Sequence, residues 1–246
     1  MFMISACLFV ILFEHPLSPL KMEIGSSFLR RLFIGLAMGL TAIMLIYSGW
    51  GKKSGAHMNP AVTIAFWHLH RISGANAFWY ILAQITGGTL AVLLIKSLVP
   101  ILINAPEVNY VVTTPGMKGP WVAFAAEFLM AFILFFTILQ ISNSKLAAWT
   151  GVVAGILVFM FISFEAPYSG MSINPARTIA SAIPAHLWSG WWIYFTAPVL
   201  GMFLAAHLFR TRFMKDHDGS CVGLKCHLTG KDTTSATYEI LFPPKS

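Results

Sequence analysis

Apolar residues run along this chain in long blocks separated by short polar junctions. Five blocks, at roughly 28–50, 76–100, 121–141, 147–165 and 190–210, reach the length of about 20 mostly apolar residues that an α-helix needs to cross a bilayer. A sixth runs from Phe2 to Phe13 and is apolar throughout, but covers only half to two-thirds of a span. Glu14, His15, Pro16 and Pro19 end it sharply, because prolines and a carboxylate cannot continue a membrane helix cheaply. Two further apolar stretches, 59–69 and 174–187, are too short to cross. Each opens with Asn-Pro, and proline is at home in the first position of a helix, so the pattern predicts two short helices starting there.

Composition agrees with the pattern. Of 246 residues, 57% are hydrophobic and 10% charged, with a mean hydropathy of +0.73. Twenty-five charges cannot cover the surface of a soluble domain of this size, which excludes an ordinary cytosolic enzyme, a disordered chain and a secreted disulfide scaffold. The net charge of +7 comes from basic residues dispersed between apolar blocks, an arrangement for lipid headgroups rather than nucleic acid. With the N-terminus inside, ten basic residues fall on the cytoplasmic side and six outside (Lys21, Arg30, Arg31, Lys96, Lys118 and Arg177). The expected protein is multi-pass in the cell membrane, plasma or inner, with both termini cytoplasmic.

The strongest organisational signal is an internal repeat. Residues 54–65, SGAHMNPAVTIA, and 169–180, SGMSINPARTIA, agree at eight of twelve positions, with their asparagines 115 residues apart. Each copy follows a block carrying Gly-x-x-x-Gly, Gly35/Gly39 in one and Gly151/Gly155 in the other, a spacing that lets membrane helices approach closely. Three spans separate the copies, so they enter the membrane from opposite sides as an inverted repeat. The expected architecture is all-α: six transmembrane helices, the first N-terminally short, plus two re-entrant half-helices. The membrane unit covers 1–210, with repeats at about 1–100 and 121–210, and a polar cytoplasmic tail follows at 211–246.

A half-helix that begins inside the membrane leaves its first N–H groups unpartnered and points the positive end of its dipole into a low-dielectric region. Such backbone survives only where protein buries it or water bathes it. Two opposed half-helices would aim these ends at each other, with Asn59 and Asn174 adding amide donors. A water held by two donors turns its oxygen toward them, which breaks a proton wire, and the positive field repels cations. Arg177 sits one turn into the second half-helix, where a charge is a functional signal by default.

On these residues the chain resembles the major intrinsic proteins, the aquaporins and glycerol facilitators, in a bacterial-type form. The signature is Asn59-Pro60-Ala61 paired with Asn174-Pro175-Ala176, with Arg177 after the second copy only. The resemblance implies a passive pore in each subunit of a homotetramer, carrying water or small neutral solutes. It implies no cofactor and no nucleic-acid partner. It assigns Arg177 to the outer constriction and, by counting from the motifs, Met38, Ile162 and Met171 to its other walls. Water-selective relatives usually carry histidine where Ile162 stands, and mercurial-sensitive ones carry cysteine where Met171 stands. Glycerol facilitators typically have aspartate where Thr178 stands. The chain therefore fits neither subclass cleanly, and its constriction is expected to be apolar with one arginine.

Glu127, within the fourth span, must find donors if buried; the resemblance makes it the support of a re-entrant loop, with His57 bracing the other. A matching glutamate is expected on the first helix upstream of where this chain begins. The deficit of about eight residues is roughly 12 Å of helix, so the true start is expected upstream of Met1. Glu165 reads as an interfacial carboxylate. In the tail, His217, Cys221, Cys226 and His227 are weak zinc-ligand candidates, read as part of a solvated segment. Two other functions compete with the channel. One is a structural or adhesion protein on the same fold with little conductance. The other, less favoured, is a membrane-embedded enzyme, for which there is no His-Glu-x-x-His, Gly-x-Ser-x-Gly or intramembrane aspartate pair.

Overall fold

The computed structural model describes residues 1–213, which form eight principal helices, the longer connections between them carrying short helical pieces such as Pro19–Glu23, Gly49–Ser54 and Pro100–Ile103. α1 spans Phe2–Glu14, α2 Ser27–Tyr47, α3 Pro60–His68 and α4 Gly74–Leu98; α5 spans Pro120–Ser142, α6 Thr150–Phe164, α7 Pro175–Ala185 and α8 Trp191–Phe213. The helix starts follow local chemistry. Ser26 and Ser73 cap α2 and α4 by accepting from Leu29 N and Asn76 N, and Pro120 opens α5 after Gly119, whose φ is +90°. Such caps satisfy amides that the helix itself leaves open.

Five of these segments are long and apolar enough to cross a membrane: α2, α4, α5, α8 and Ala147–Phe164, which contains α6. α1, at 13 residues, extends about 20 Å against a hydrocarbon core of about 30 Å. Outward faces carry large apolar side chains such as Phe78, Trp79, Leu90 and Leu98 of α4. In water that surface would be a gross liability; in lipid it is solvated.

The halves meet along α2 and α6. A Cβ added to Gly39 would stand 2.6 Å from Gly155 O, and one added to Gly155 would stand 2.6 Å from Gly39 O. The two glycines therefore set how closely the helices cross, as the repeated Gly-x-x-x-Gly predicts. α8 packs along α5 and covers α3, while α4 covers α7 and touches α1. Each half-helix is thus sheathed by the last long helix of the opposite half, as an inverted repeat requires.

Candidate functional site

The two Asn-Pro motifs build two helix starts that face each other. Asn59 caps α3, its Oδ1 accepting from Ala61 N at 2.9 Å, and Pro60 takes the first helical position. Asn174 repeats this on α7, accepting from Ala176 N at 3.0 Å and Arg177 N at 3.3 Å. The amide ends cross over: Asn59 Nδ2 donates to Ile173 O at 2.6 Å, and Asn174 Nδ2 to Met58 O at 2.8 Å. A primary amide carries two hydrogens, so each asparagine keeps one beyond this clasp. Both residues line the same cavity.

That cavity, of about 350 Å³, also carries Met38, Ile162, Met171 and Arg177 on its wall. The side chains taken from α2, α6, the Ser169–Asn174 loop and α7 are therefore brought together. Arg31 and Ile46 line it too, and they sit at opposite ends of α2, about 22 Å of helix apart. The cavity thus follows the long axis of the bundle past both asparagines. Arg177 Nη1 is buried and has no hydrogen-bond partner in the protein. A buried guanidinium N–H in that state is set to donate to something passing.

Two loops carry the motifs, and they are held differently. Glu127, fully buried on α5, accepts from Ser169 Oγ and Ser172 N at 2.7 Å and from Ile173 N at 2.5 Å. Met171 and Ile173 have φ of +49° and +45°, a left-handed conformation that costs side-chain-bearing residues on the order of 1 kcal/mol or more each. These bonds keep the loop in that shape. In the other loop Gln84 of α4 donates to His57 O at 2.5 Å and to Thr63 Oγ1 at 3.0 Å. The His57 ring stacks on Phe66 at 4.8 Å and meets Tyr80 edge-on at 5.2 Å. A tyrosine hydroxyl closes each loop at the matching serine: Tyr80 donates to Ser54 O at 3.1 Å, Tyr194 to Ser169 O at 2.7 Å.

Gln84, Tyr80 and Tyr194 were not singled out as site residues by the sequence because each lies inside a long apolar block. Tyr80 follows Asn59 by 21 residues and Tyr194 follows Asn174 by 20, a near-repeat that was the available signal for the tyrosines; Gln84 had none. Thr178, read only as a departure from aspartate, belongs to a buried hydroxyl chain with Ser172 at 2.6 Å and Thr113 at 3.1 Å. Of the carboxylates at helix ends, Glu14 closes α1 and pairs with Arg30 through Oε1 at 3.2 Å and Oε2 at 3.1 Å. Glu165, expected at the interface, instead turns inward to Ser169 at 2.9 Å. No group of three or more metal-ligating side chains occurs among the described residues; His217, Cys221, Cys226 and His227 lie outside them.

Comparison with known proteins bears on this geometry. A family profile described as Major intrinsic protein matches residues 2–209. The chain is 35% identical over 181 residues to a probable aquaporin NIP-type of Nicotiana alata, covering 72% of this chain and 64% of the relative. It is likewise 35% identical over 178 residues to aquaporin NIP2-3 of Zea mays, covering 71% and 56%. It therefore spans less than two thirds of the length of these relatives. Among solved structures, the aquaglyceroporin from Plasmodium falciparum aligns with a TM-score of 0.65 at 18% identity, over 85% of this chain and 90% of that one, a likeness of fold.

Proposed function

Because this chain belongs to the major intrinsic protein family, we propose that it is a passive transmembrane channel for water and small neutral solutes. The observation that carries the reading is the single cavity holding both motif asparagines, Arg177 and three apolar side chains. Opposed helix starts at Asn59 and Asn174 make the centre electropositive, and their free amide hydrogens orient a passing water oxygen. Cations meet the same field and the Arg177 guanidinium, and proton transfer along a water file is interrupted where the orientation is fixed. Met38, Ile162 and Met171 form the apolar sides of the constriction, and Arg177 supplies its donor. Such walls offer a solute one polar edge and three greasy ones, which suits small uncharged molecules with a hydroxyl or carbonyl to present.

Several finer assignments belong to the same proposal. Glu127 and His57 support the loops that hold the asparagines. Residues 1–210 form the channel domain and 211–246 a cytoplasmic tail. The protein lies in the cell membrane with both termini inside and assembles as a homotetramer. α4 fits that assembly, since only 17% of its span is buried within one subunit, against 39% for α5 and 50% for α8. A helix left so open faces lipid or a second copy.

Stopped-flow light scattering on reconstituted vesicles tests the function. Rapid shrinkage in an impermeant osmolyte, followed by re-entry of glycerol or urea, is expected, with Arg177→Ala raising cation leak. Flux no greater than in empty vesicles would overturn the reading in favour of a structural protein on this fold.

A further inference from the structure

The loop that carries Met171 contains a proton count that does not close with two ionised carboxylates. Ser169 Oγ lies 2.7 Å from Glu127 Oε1 and 2.9 Å from Glu165 Oε2, and it accepts from Met171 N at 3.1 Å. A hydroxyl has one hydrogen. It can satisfy one carboxylate, and the second must then bring a proton of its own. Glu127 already accepts two backbone N–H bonds, from Ser172 and Ile173. Both of its oxygens are thus supplied with donors and have no need of a proton of their own. Burial pushes the Glu165 carboxyl up to about 8, against hydrogen bonds from Ser169 that favour its charge, and its Oε1 is buried without a partner. That is tolerable for the carbonyl oxygen of a neutral acid and costly for half of a charge.

Resting on the channel reading above, we propose that Glu165 is a positioning residue of the constriction: a neutral carboxylic acid that donates to Ser169. The chain of bonds then closes. The Glu165 hydroxyl donates to Ser169 Oγ, Ser169 donates to Glu127 Oε1, and the Met171 amide donates to the remaining lone pair of Ser169. Met171, with its strained φ of +49°, is thereby fixed on the pore wall three residues before Asn174 and six before Arg177. Loss of the Glu165 proton to bulk water leaves two anions competing for one hydrogen, and the Ser169–Met171 turn slackens. The other groups around this cluster are Tyr194 of α8, whose hydroxyl donates to Ser169 O, and Lys118, whose Nζ stands 4.9 Å from the Tyr168 ring. Neither donates a hydrogen to Ser169 Oγ or to either carboxylate.

Two measurements on the reconstituted full chain test this. Water permeability of the wild type is expected to fall by about threefold or more as the pH rises from about 6 to about 9. Glu165→Gln keeps a donor toward Ser169 and has no proton to lose, so its ratio of alkaline to neutral flux moves to about one. Infrared spectra at neutral pH are expected to show the carbonyl stretch of a neutral carboxylic acid that disappears in Glu165→Gln and shifts in Ser169→Ala. Equal pH profiles for wild type and Glu165→Gln, or a neutral-acid band that survives that substitution, overturn the proposal. Flux no greater than in empty vesicles at every pH overturns the channel reading instead, and the infrared bands still decide whether Glu165 holds the proton.

Discussion

The first and second motif loops lead into nearly the same half-helix start and are held by opposite hydrogen-bond polarity. Around Asn174 the support is an acceptor: Glu127 gathers two backbone amides and a serine hydroxyl. Around Asn59 it is a donor: Gln84 gives its amide hydrogens to the His57 carbonyl and to Thr63. A second cavity, of about 590 Å³, lies on the α1 side with His57, Gln84 and Gly88 among its lining, and both His57 Nε2 and Gln84 Oε1 are buried without partners. The lesson is that a re-entrant loop can be fixed by either sign of hydrogen bond. The acceptor version satisfies more of the loop's own amides and is the stiffer of the two.

The largest effect is therefore expected at Glu127. Glu127→Ala strands two buried N–H groups, each costing about 1–3 kcal/mol, and releases two left-handed residues. Thermal unfolding in detergent should show a loss of several kcal/mol, and water flux should fall at least about tenfold because Arg177 moves with the loop. A variant as stable as the wild type would show that the loop does not depend on its acceptor.

Next in size are the shared glycines. Gly39 and Gly155 each face the other's carbonyl, and a Cβ on Gly155 would also run into the Ile43 side chain, so Gly39→Ala and Gly155→Ala should each destabilise by about 1–3 kcal/mol, Gly155→Ala the more. Equal unfolding midpoints for the two variants would show that the shared backbone approach alone sets the cost.

Gln84→Ala should cost less, about 1–2 kcal/mol for two lost donor bonds, and it leaves the Phe66 stack on His57 in place. Unfolding midpoints of the Glu127→Ala and Gln84→Ala proteins, measured side by side, decide the comparison directly. If the glutamine substitution proves the more damaging, the ranking of the two loops is reversed.

Much of this was written in the chain in readable form. The paired Asn-Pro starts, the matched Gly-x-x-x-Gly and Arg177 are local signals, each fixed by a few adjacent residues, and the helix boundaries follow from them. Glu165 misled for a physical reason. Its neighbours Ala166 and Pro167 mark a helix end, where carboxylates ordinarily meet water, and nothing local reveals that Ser169 turns back beneath it. Gln84 and Tyr194 are single polar atoms inside apolar runs, and only the tertiary approach of a loop gives them meaning. Ser169 stood inside the repeat, yet its one hydrogen becomes decisive only when two carboxylates from different helices converge on it.

The smallest effect concerns mercurial reagents, and it separates the halves once more. Cys7 of α1 is fully buried among Val92, Ile103 and Ala180 and does not line the cavity that holds the asparagines, whereas Met171 of the second loop does. A thioether does not form the mercury–thiolate bond, and a buried thiol is inert. Wild-type water flux is therefore expected to change little on brief exposure to mercuric chloride. Met171→Cys places a thiol on the wall of that cavity and should make flux fall several-fold, with recovery in excess thiol. Phe2, Ala6 and Val10 of α1 already line that cavity. Block of the wild type that vanishes in Cys7→Ser would therefore add the opposite, Cys7-bearing face of the helix to the conduction path, and the first half would then contribute more of the lining than its loop contributes of the support.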